Sequence, residues 1–348
     1  MRHEQRRNDE SLRRVIVHAA FLTGLLAATL PAASALADRV VLENGRDKGE
    51  DVRVLAATWE EVELRAGRSR KETVPAAQIA TLERDSEALA PTRRRFALAS
   101  YKEVLVDVRD FDADFKEAAP WEKAEAAYLL AEATLKLGKR DEAKAAYEAY
   151  LETYGEAKDW WVPFAAHRLV EIAESEEKYG TAATLGEKLA RYGGRWQVIG
   201  RLAQGRNLLR TNNASAAETV LNEVVRLATD PELKQEARVL RIEATFVAGN
   251  PGQAIQDLDT NFFAAIGGEL LYGYARGRAT LLMGQSYVAL GGDENEQQGE
   301  VWLQQTVALY GQHEELLAAA SDELANLYKK QGKTERAAFW EKRKPTKD

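Results

Sequence analysis

Downstream of its first 37 residues the chain holds two histidines, His167 and His313. His167 stands four residues before Glu171, a helical spacing at which imidazole and carboxylate could share a proton or form a surface ion pair. Neither histidine belongs to an H-E-x-x-H motif or has a second ligand at metal-binding spacing. There is no G-x-S-x-G turn to expose a nucleophilic serine. No phosphate-cradling loop follows a strand, and Gly273, Gly277 and Gly284 fall in a helical run where close packing accounts for them. Carboxylates are abundant, but as helix-surface partners such as Glu142 beside Lys139. Cysteine is absent, which excludes disulfides, thiolate metal sites, a cysteine nucleophile and an acylated N-terminal cysteine. The reading is therefore no catalytic residue, no metal and no cofactor. An enzyme or glycan binder of unfamiliar type would need a deep pocket with converging carboxylates, which a sequence does not reveal.

The elements that would carry other functions follow from composition and pattern. With 348 residues, 45% hydrophobic and 30% charged, the chain can fold into two domains with a sizeable core. Its formal charge is −7; the first 37 residues carry five Arg against three acids, leaving −9 for the rest. An acidic chain with interspersed charges lacks the basic face that nucleic-acid binding uses to displace counterions. The first 37 residues read as an address. Arg2, Arg6, Arg7, Arg13 and Arg14 precede an uncharged, mostly apolar stretch from Val15 to Leu30, and Ala35-Leu36-Ala37 forms an A-x-A cleavage signal. The stretch is short for a bilayer span of about 20 residues, although an uncleaved anchor is the alternative. Ser11-Leu12-Arg13-Arg14 fits a twin-arginine signal poorly. A cleaved leader predicts a periplasmic or extracellular protein with no stable membrane insertion.

Residues 38–88 read as β structure. Val40-Val41-Leu42 leads to the turn pair Asn44-Gly45; Val52 to Leu55 and Val62-Glu63-Leu64 alternate apolar and polar; Ala66-Gly67 closes that pair. Val74-Pro75 opens a last short piece with Ile79 and Leu82. These motifs resemble the small SH3-like or Sm-like barrels at the front of bacterial envelope repeat proteins. Lys48-Gly49-Glu50-Asp51 is more charged than that pattern. The resemblance implies a packing or oligomerising role, and RNA binding lacks a basic aromatic platform here.

From about residue 89 to 345 the periodicity is helical, broken by turns of one form. Leu137-Gly138-Lys139, Lys178-Tyr179-Gly180, Asn212-Asn213, Ala248-Gly249-Asn250-Pro251, Leu290-Gly291-Gly292-Asp293 and Gln331-Gly332-Lys333 recur, with Gly or Asn suited to a left-handed helix end. Asp141, Ser215 and Thr334 are expected to cap the following helices. Ala143-x-x-x-Tyr147-x-x-Tyr150, Met283-Gly284-x-x-Tyr287, Ala217-x-x-x-Leu221 and Ala254-x-x-x-Leu258 place a small residue where helices cross and a large one a turn away. Ala97-x-x-x-Tyr101-x-x-Val104 reads as a lone opening helix, and Asp293–Glu300 as an inserted acidic loop. Gly186 and Glu341 stand where large apolar residues are expected.

These residues resemble the tetratricopeptide repeat, whose unit is about 34 residues. The fold class expected is mainly α, an α-solenoid of tetratricopeptide-like helix hairpins (about six pairs plus the opening helix) preceded by the small β-barrel-like domain; a non-repeating helical bundle is the alternative. The resemblance implies a concave groove lined by the first helix of each pair. Matched unit by unit, it would present Tyr128 and Glu132, His167 and Glu171, Arg206 and Arg210, Glu243, Gln285 and Asn326. Each could equally be a solvated helix face. Trp160-Trp161 and Trp196 read as buried packing or an exposed interaction patch. The function expected is an exported, non-enzymatic scaffold or adaptor that binds a protein or peptide partner in this groove. The alternative is a structural envelope component whose β-domain self-associates, giving a homo-oligomer with the array as spacer.

Overall fold

A computed structural model describes residues 38–49, 52–67, 70–109, 111, 115–264 and 273–343. The leader assigned to residues 1–37 lies outside them. The chain divides into two compact units, one up to Leu169 and one from Val170.

In the first unit, β1 (Arg39–Leu42) pairs antiparallel with β5 (Ile79–Glu83), and β2 (Val52–Ala57), β3 (Glu61–Ala66) and β4 (Arg70–Pro75) form a three-stranded meander. Alternation sets the faces: Val62 and Leu64 are buried while Glu61 and Glu63 are exposed. The sequence reading of Val74-Pro75 is corrected in one respect. Pro75 ends β4, and a 3-10 turn over Ala76–Gln78 delivers Ile79 to β5. Lys48, from the charged segment, binds Glu72 at 2.6 Å.

The helices α1 (Ala90–Ala97), α2 (Tyr101–Arg109), α3 (Pro120–Lys136) and α4 (Arg140–Tyr154) follow. The single opening helix expected across Ala97 and Tyr101 is instead two. Ala99 takes φ 57°, and the Ser100 amide donates to the Arg95 carbonyl at 2.9 Å, closing α1 before α2 begins. The β core of Val40, Val52, Val62, Leu64, Val74 and Ile79 is completed by Trp160, from beyond α4. Three further ties hold that segment to the β2–β3 turn: the Trp59 amide donates to the Lys158 carbonyl, Lys158 pairs with Glu60 at 2.6 Å, and Thr58 bridges Asp159. The segment that follows α4 therefore completes the interior of the strands.

The helix α5 (Val162–Ser175) runs through the division. The second unit continues with α6 (Tyr179–Ala190), α7 (Gly194–Arg210), α8 (Ala214–Leu227), α9 (Pro231–Val247) and α10 (Pro251–Asp257, extended by a π turn to Phe263). It ends with α11 (Tyr274–Leu290), α12 (Asp293–Tyr310), α13 (Glu314–Lys330) and α14 (Thr334–Glu341). The turns repeat one closure, an amide donating to the carbonyl five residues back. Lys178 donates to Ala173, Asn213 to Leu208, Asn250 to Thr245 and Lys333 to Tyr328, as Lys139 does to Thr134 in the first unit. Gly138, Asn212, Gly249 and Gly332 supply the positive φ, and Glu177 does so without being glycine. The expected caps are corrected: the N-cap positions are Lys139, Asn213 and Lys333, none with a side-chain bond. Asp230, before α9, accepts from the Glu232 and Leu233 amides.

Small residues set the helix crossings. A Cβ added to Gly186 would lie 2.8 Å from the Gly200 carbonyl oxygen, and one added to Gly200 would lie 2.5 Å from the Ala190 amide nitrogen. So α6 and α7 touch backbone to backbone, which is why Gly186 replaces the large residue expected there. Asp293–Glu300 is corrected from loop to helix. It is the start of α12, with Asp293, Glu294 and Glu296 in the first turn, where the helix dipole favours acids, and Gly299 packed on the Gly284 carbonyl. Leu202, Leu209, Ala217, Leu221, Val224 and Leu240 form one core layer, and Val239, Leu258, Phe262, Ala279 and Met283 form another.

Candidate functional site

Two polar networks occupy the first helices of the pairs, one in each unit. In the first unit, Tyr128 and Glu132 on α3 are buried, 6% and 2% exposed. Helix α4 covers one side through Tyr147, and Arg168 on α5 covers the other. Glu132 accepts from the Tyr147 hydroxyl at 2.6 Å, the Tyr128 hydroxyl at 3.0 Å, and Arg168 through Nε at 2.7 Å and Nη2 at 3.2 Å. Burial, then the Glu132 charge, pushes the Tyr128 and Tyr147 phenols far above their ordinary range. Trp161 stacks on Tyr128, with ring centroids 4.7 Å apart. This corrects the groove assignment of Tyr128 and Glu132, which shape an interior. Of the two readings of the tryptophans, buried packing is the one found for Trp160, 7% exposed in the β core, and for Trp196, 9% exposed on α7. Beside Trp160, a notch between Leu82, Arg84, Trp121, Glu125 and Asp159 encloses about 10 Å³, room for one water and not for a substrate.

In the second unit the charges form a row across successive first helices. Arg206 on α7 donates to Glu174, in the last turn of α5, at 3.0 Å and to Glu236 on α9 at 3.5 Å. Arg278 on α11 takes Glu243 of α9 with two nitrogens, at 2.9 and 3.2 Å, and lies 3.8 Å from Glu315 on α13. Glu315 also accepts from the Tyr274 hydroxyl at 2.8 Å and from Arg210 at 2.9 Å. Burial works against the charge of Arg206 and Arg278, but their neighbours together outweigh it, Glu174 with Glu236 around Arg206 and Glu243 with Tyr274 and Glu315 around Arg278, so both guanidiniums are raised and stay protonated. Burial raises Glu236 despite Arg206 and Arg278. Glu315, also opposed by burial, is held low by Arg278, the Tyr274 hydroxyl and Arg210.

Helical spacing extends this row. Glu236 and Glu243, like Arg278 and Gln285, are seven apart, and Glu315 and Asn326 eleven apart, so each set shares one helix face. Gln285 donates to Glu323 at 3.0 Å, and Asn326 is exposed. The structure thus joins Arg206, Arg210 and Glu243 and adds Glu174, Glu236, Tyr274, Arg278 and Glu315, which sequence matching passed over. The signal was present: each added residue lies on the same helical stripe as a residue already named. His167 and Glu171 are half-buried on α5, four apart, and neither lacks a partner. His313 precedes α13, edge-on to Tyr274 at 5.4 Å, and burial lowers its pKa. Among the described residues no cluster of three His or carboxylate groups could hold a metal, and no helix is long and apolar enough to cross a membrane.

The row offers alternating guanidinium and carboxylate groups on rigid helices, an arrangement that suits hydrogen bonding to a polar chain more than bond-making chemistry. No protein-family profile and no curated protein matches the chain. Among solved structures it is similar to a tetratricopeptide repeat protein from Parabacteroides merdae, at 12% identity and a TM-score of 0.59, over 75% of this chain and 93% of that one. It also aligns, at 12% identity and a TM-score of 0.45, with the C-terminal part of a TPR repeat-containing protein from Cytophaga hutchinsonii, over 73% of this chain and 92% of that one. The fold is mainly helical and tetratricopeptide-like, with two small N-terminal sheets.

Proposed function

We propose that this chain is an exported, non-enzymatic scaffold or adaptor that holds a protein or peptide partner on the face made by α7, α9, α11 and α13. The observation that carries this reading is the row of Arg206, Arg278 and Arg210 alternating with Glu174, Glu236, Glu243 and Glu315 across the first helices of successive pairs. Stacked helix pairs present such faces as extended binding surfaces. A partner segment with polar side chains would exchange hydrogen bonds with the exposed members of this row, Arg210 and Glu315, over a buried Arg278–Glu243 pair that holds the face rigid, and exposed Asn326 would extend the contact along α13. Export to the periplasm or beyond rests on the leader-like residues 1–37, and the five short strands support the SH3/Sm-like reading of the β region.

The test is capture of a defined protein by the tagged chain in the producing cell, with the leader retained. Gln285→Arg combined with Asn326→Trp is expected to abolish capture, whereas Glu218→Trp on the exposed side of α8 leaves it intact. Equal capture by all three chains, or the same non-specific set from each, overturns the proposal. A reporter fused after residue 45 should be active only outside the cytoplasm.

A further inference from the structure

We propose that Arg210 and Glu315 form a latch across the inner face of the second unit, switching that face between a closed and a wider arrangement. In a stack of helix pairs each pair packs on its neighbours. Arg210 is the last residue of α7 and Glu315 the second of α13, and the pairs α9/α10 and α11/α12 lie between them in the chain. Yet Arg210 Nη2 reaches Glu315 Oε1 at 2.9 Å over a sequence separation of 105 residues. The bond therefore ties helices that are not consecutive neighbours, and it does so through side chains that are 43% and 52% exposed. An exposed pair of this kind is weak and is screened by salt.

Both ends have somewhere to go when the bond breaks. The Arg210 guanidinium already sits over the Tyr179 ring, 5.7 Å from its centroid, and remains in water. Glu315 keeps the Tyr274 hydroxyl at 2.8 Å and the Arg278 guanidinium at 3.8 Å. Opening thus strands no buried charge. It costs one solvent-exposed ion pair, so the two arrangements lie close in free energy. The buried Arg278–Glu243 pair, by contrast, joins adjacent pairs and stays made in both. This device is independent of whether the face has a ligand.

The chain has no cysteine, so two can be added for distance measurement without background. Spin labels at Glu218→Cys on α8 and Gln312→Cys before α13 report the separation by pulsed electron resonance. At low salt the parent should give a distribution weighted to the short distance, since a pair worth about 0–1 kcal/mol shifts the populations up to about fivefold. In 1 M NaCl, where the screening length falls to about 3 Å, the distribution should lengthen and broaden. Arg210→Gln should show the long distribution at both salts, and Arg210→Lys should restore the short one at low salt. Circular dichroism checks that each chain is folded, which exposed Arg210 permits. An Arg210→Gln chain that keeps the short distance at low salt overturns the latch, whatever the parent does in salt. So does a parent whose distance is the same at both salts.

Discussion

Replacing Glu132 with leucine removes the one acceptor that Tyr128, Tyr147 and Arg168 share. Glu132 is 2% exposed and Arg168 7% exposed, so no water takes its place. Breaking a buried ion pair by deleting one partner costs about 3–5 kcal/mol, because the remaining charge is left without compensation. Two hydroxyl donors lose their acceptor as well, at about 1–3 kcal/mol each where they cannot re-pair. Buried leucine returns about 1.5–3 kcal/mol. A net loss of about 2–9 kcal/mol follows, a large part of the 5–15 kcal/mol that holds a typical domain. Urea unfolding of the whole chain, read by tryptophan emission since Trp161 stacks on Tyr128, measures it. Glu132→Leu with Arg168→Leu should recover at least half the loss, because the buried cation leaves with its carboxylate. A single-variant loss below about 1 kcal/mol, or a double variant no more stable than Glu132→Leu, refutes the reasoning.

Other expectations follow from the same contacts. Trp160→Ala should cost about 3–5 kcal/mol and loosen the strands whose core it completes; hydrogen exchange in β1 to β5 that stays unchanged would contradict that placement. Gly200→Ala forces a methyl to 2.5 Å from the backbone of α6 and should cost about 1–3 kcal/mol. Gly180→Ala meets nothing within 4 Å and should gain about 0.5–1 kcal/mol, so equal effects would refute the close crossing. Glu236 is raised in the folded chain, so the unfolded chain releases this proton first as pH rises, and the parent loses stability through the carboxylate range. Glu236→Gln should therefore gain on the parent between pH 4 and pH 7.5 in urea midpoint, and a relative loss at pH 7.5 would contradict it. The Tyr128 and Tyr147 phenols are also raised, so stability should fall above about pH 10 as unfolded tyrosines ionise first.

The repeat was legible because its turns need particular residues. Gly138, Asn212, Gly249 and Gly332 mark left-handed helix ends that few other residues adopt cheaply, and each was readable. Ala99 adopts the same conformation without the marker, which is why α1 and α2 read as one helix. The start of α12 was misread because acids at a helix N-terminus look like a loop when the dipole is ignored. The groove was half legible. Spacing places Arg206 and Arg210 on one face, but it does not say what covers that face. On α3 the corresponding stripe lies beneath Tyr147 and Arg168, and on α7 it meets Glu174, Glu236 and Glu315. Sequence distances of 15 to 105 residues separate these partners, and helical periodicity carries no information at that range.

The central claim, that the first helices of the second unit hold a protein partner, is tested most directly by photo-cross-linking in the producing cell. A photoreactive residue is placed in turn at Asn326 and Arg210 on the first helices, and at Glu218 and Glu223 on α8. The account predicts a discrete adduct of one size from the first pair of positions and none from α8. Adducts of equal yield from both sets, or from α8 alone, would contradict it.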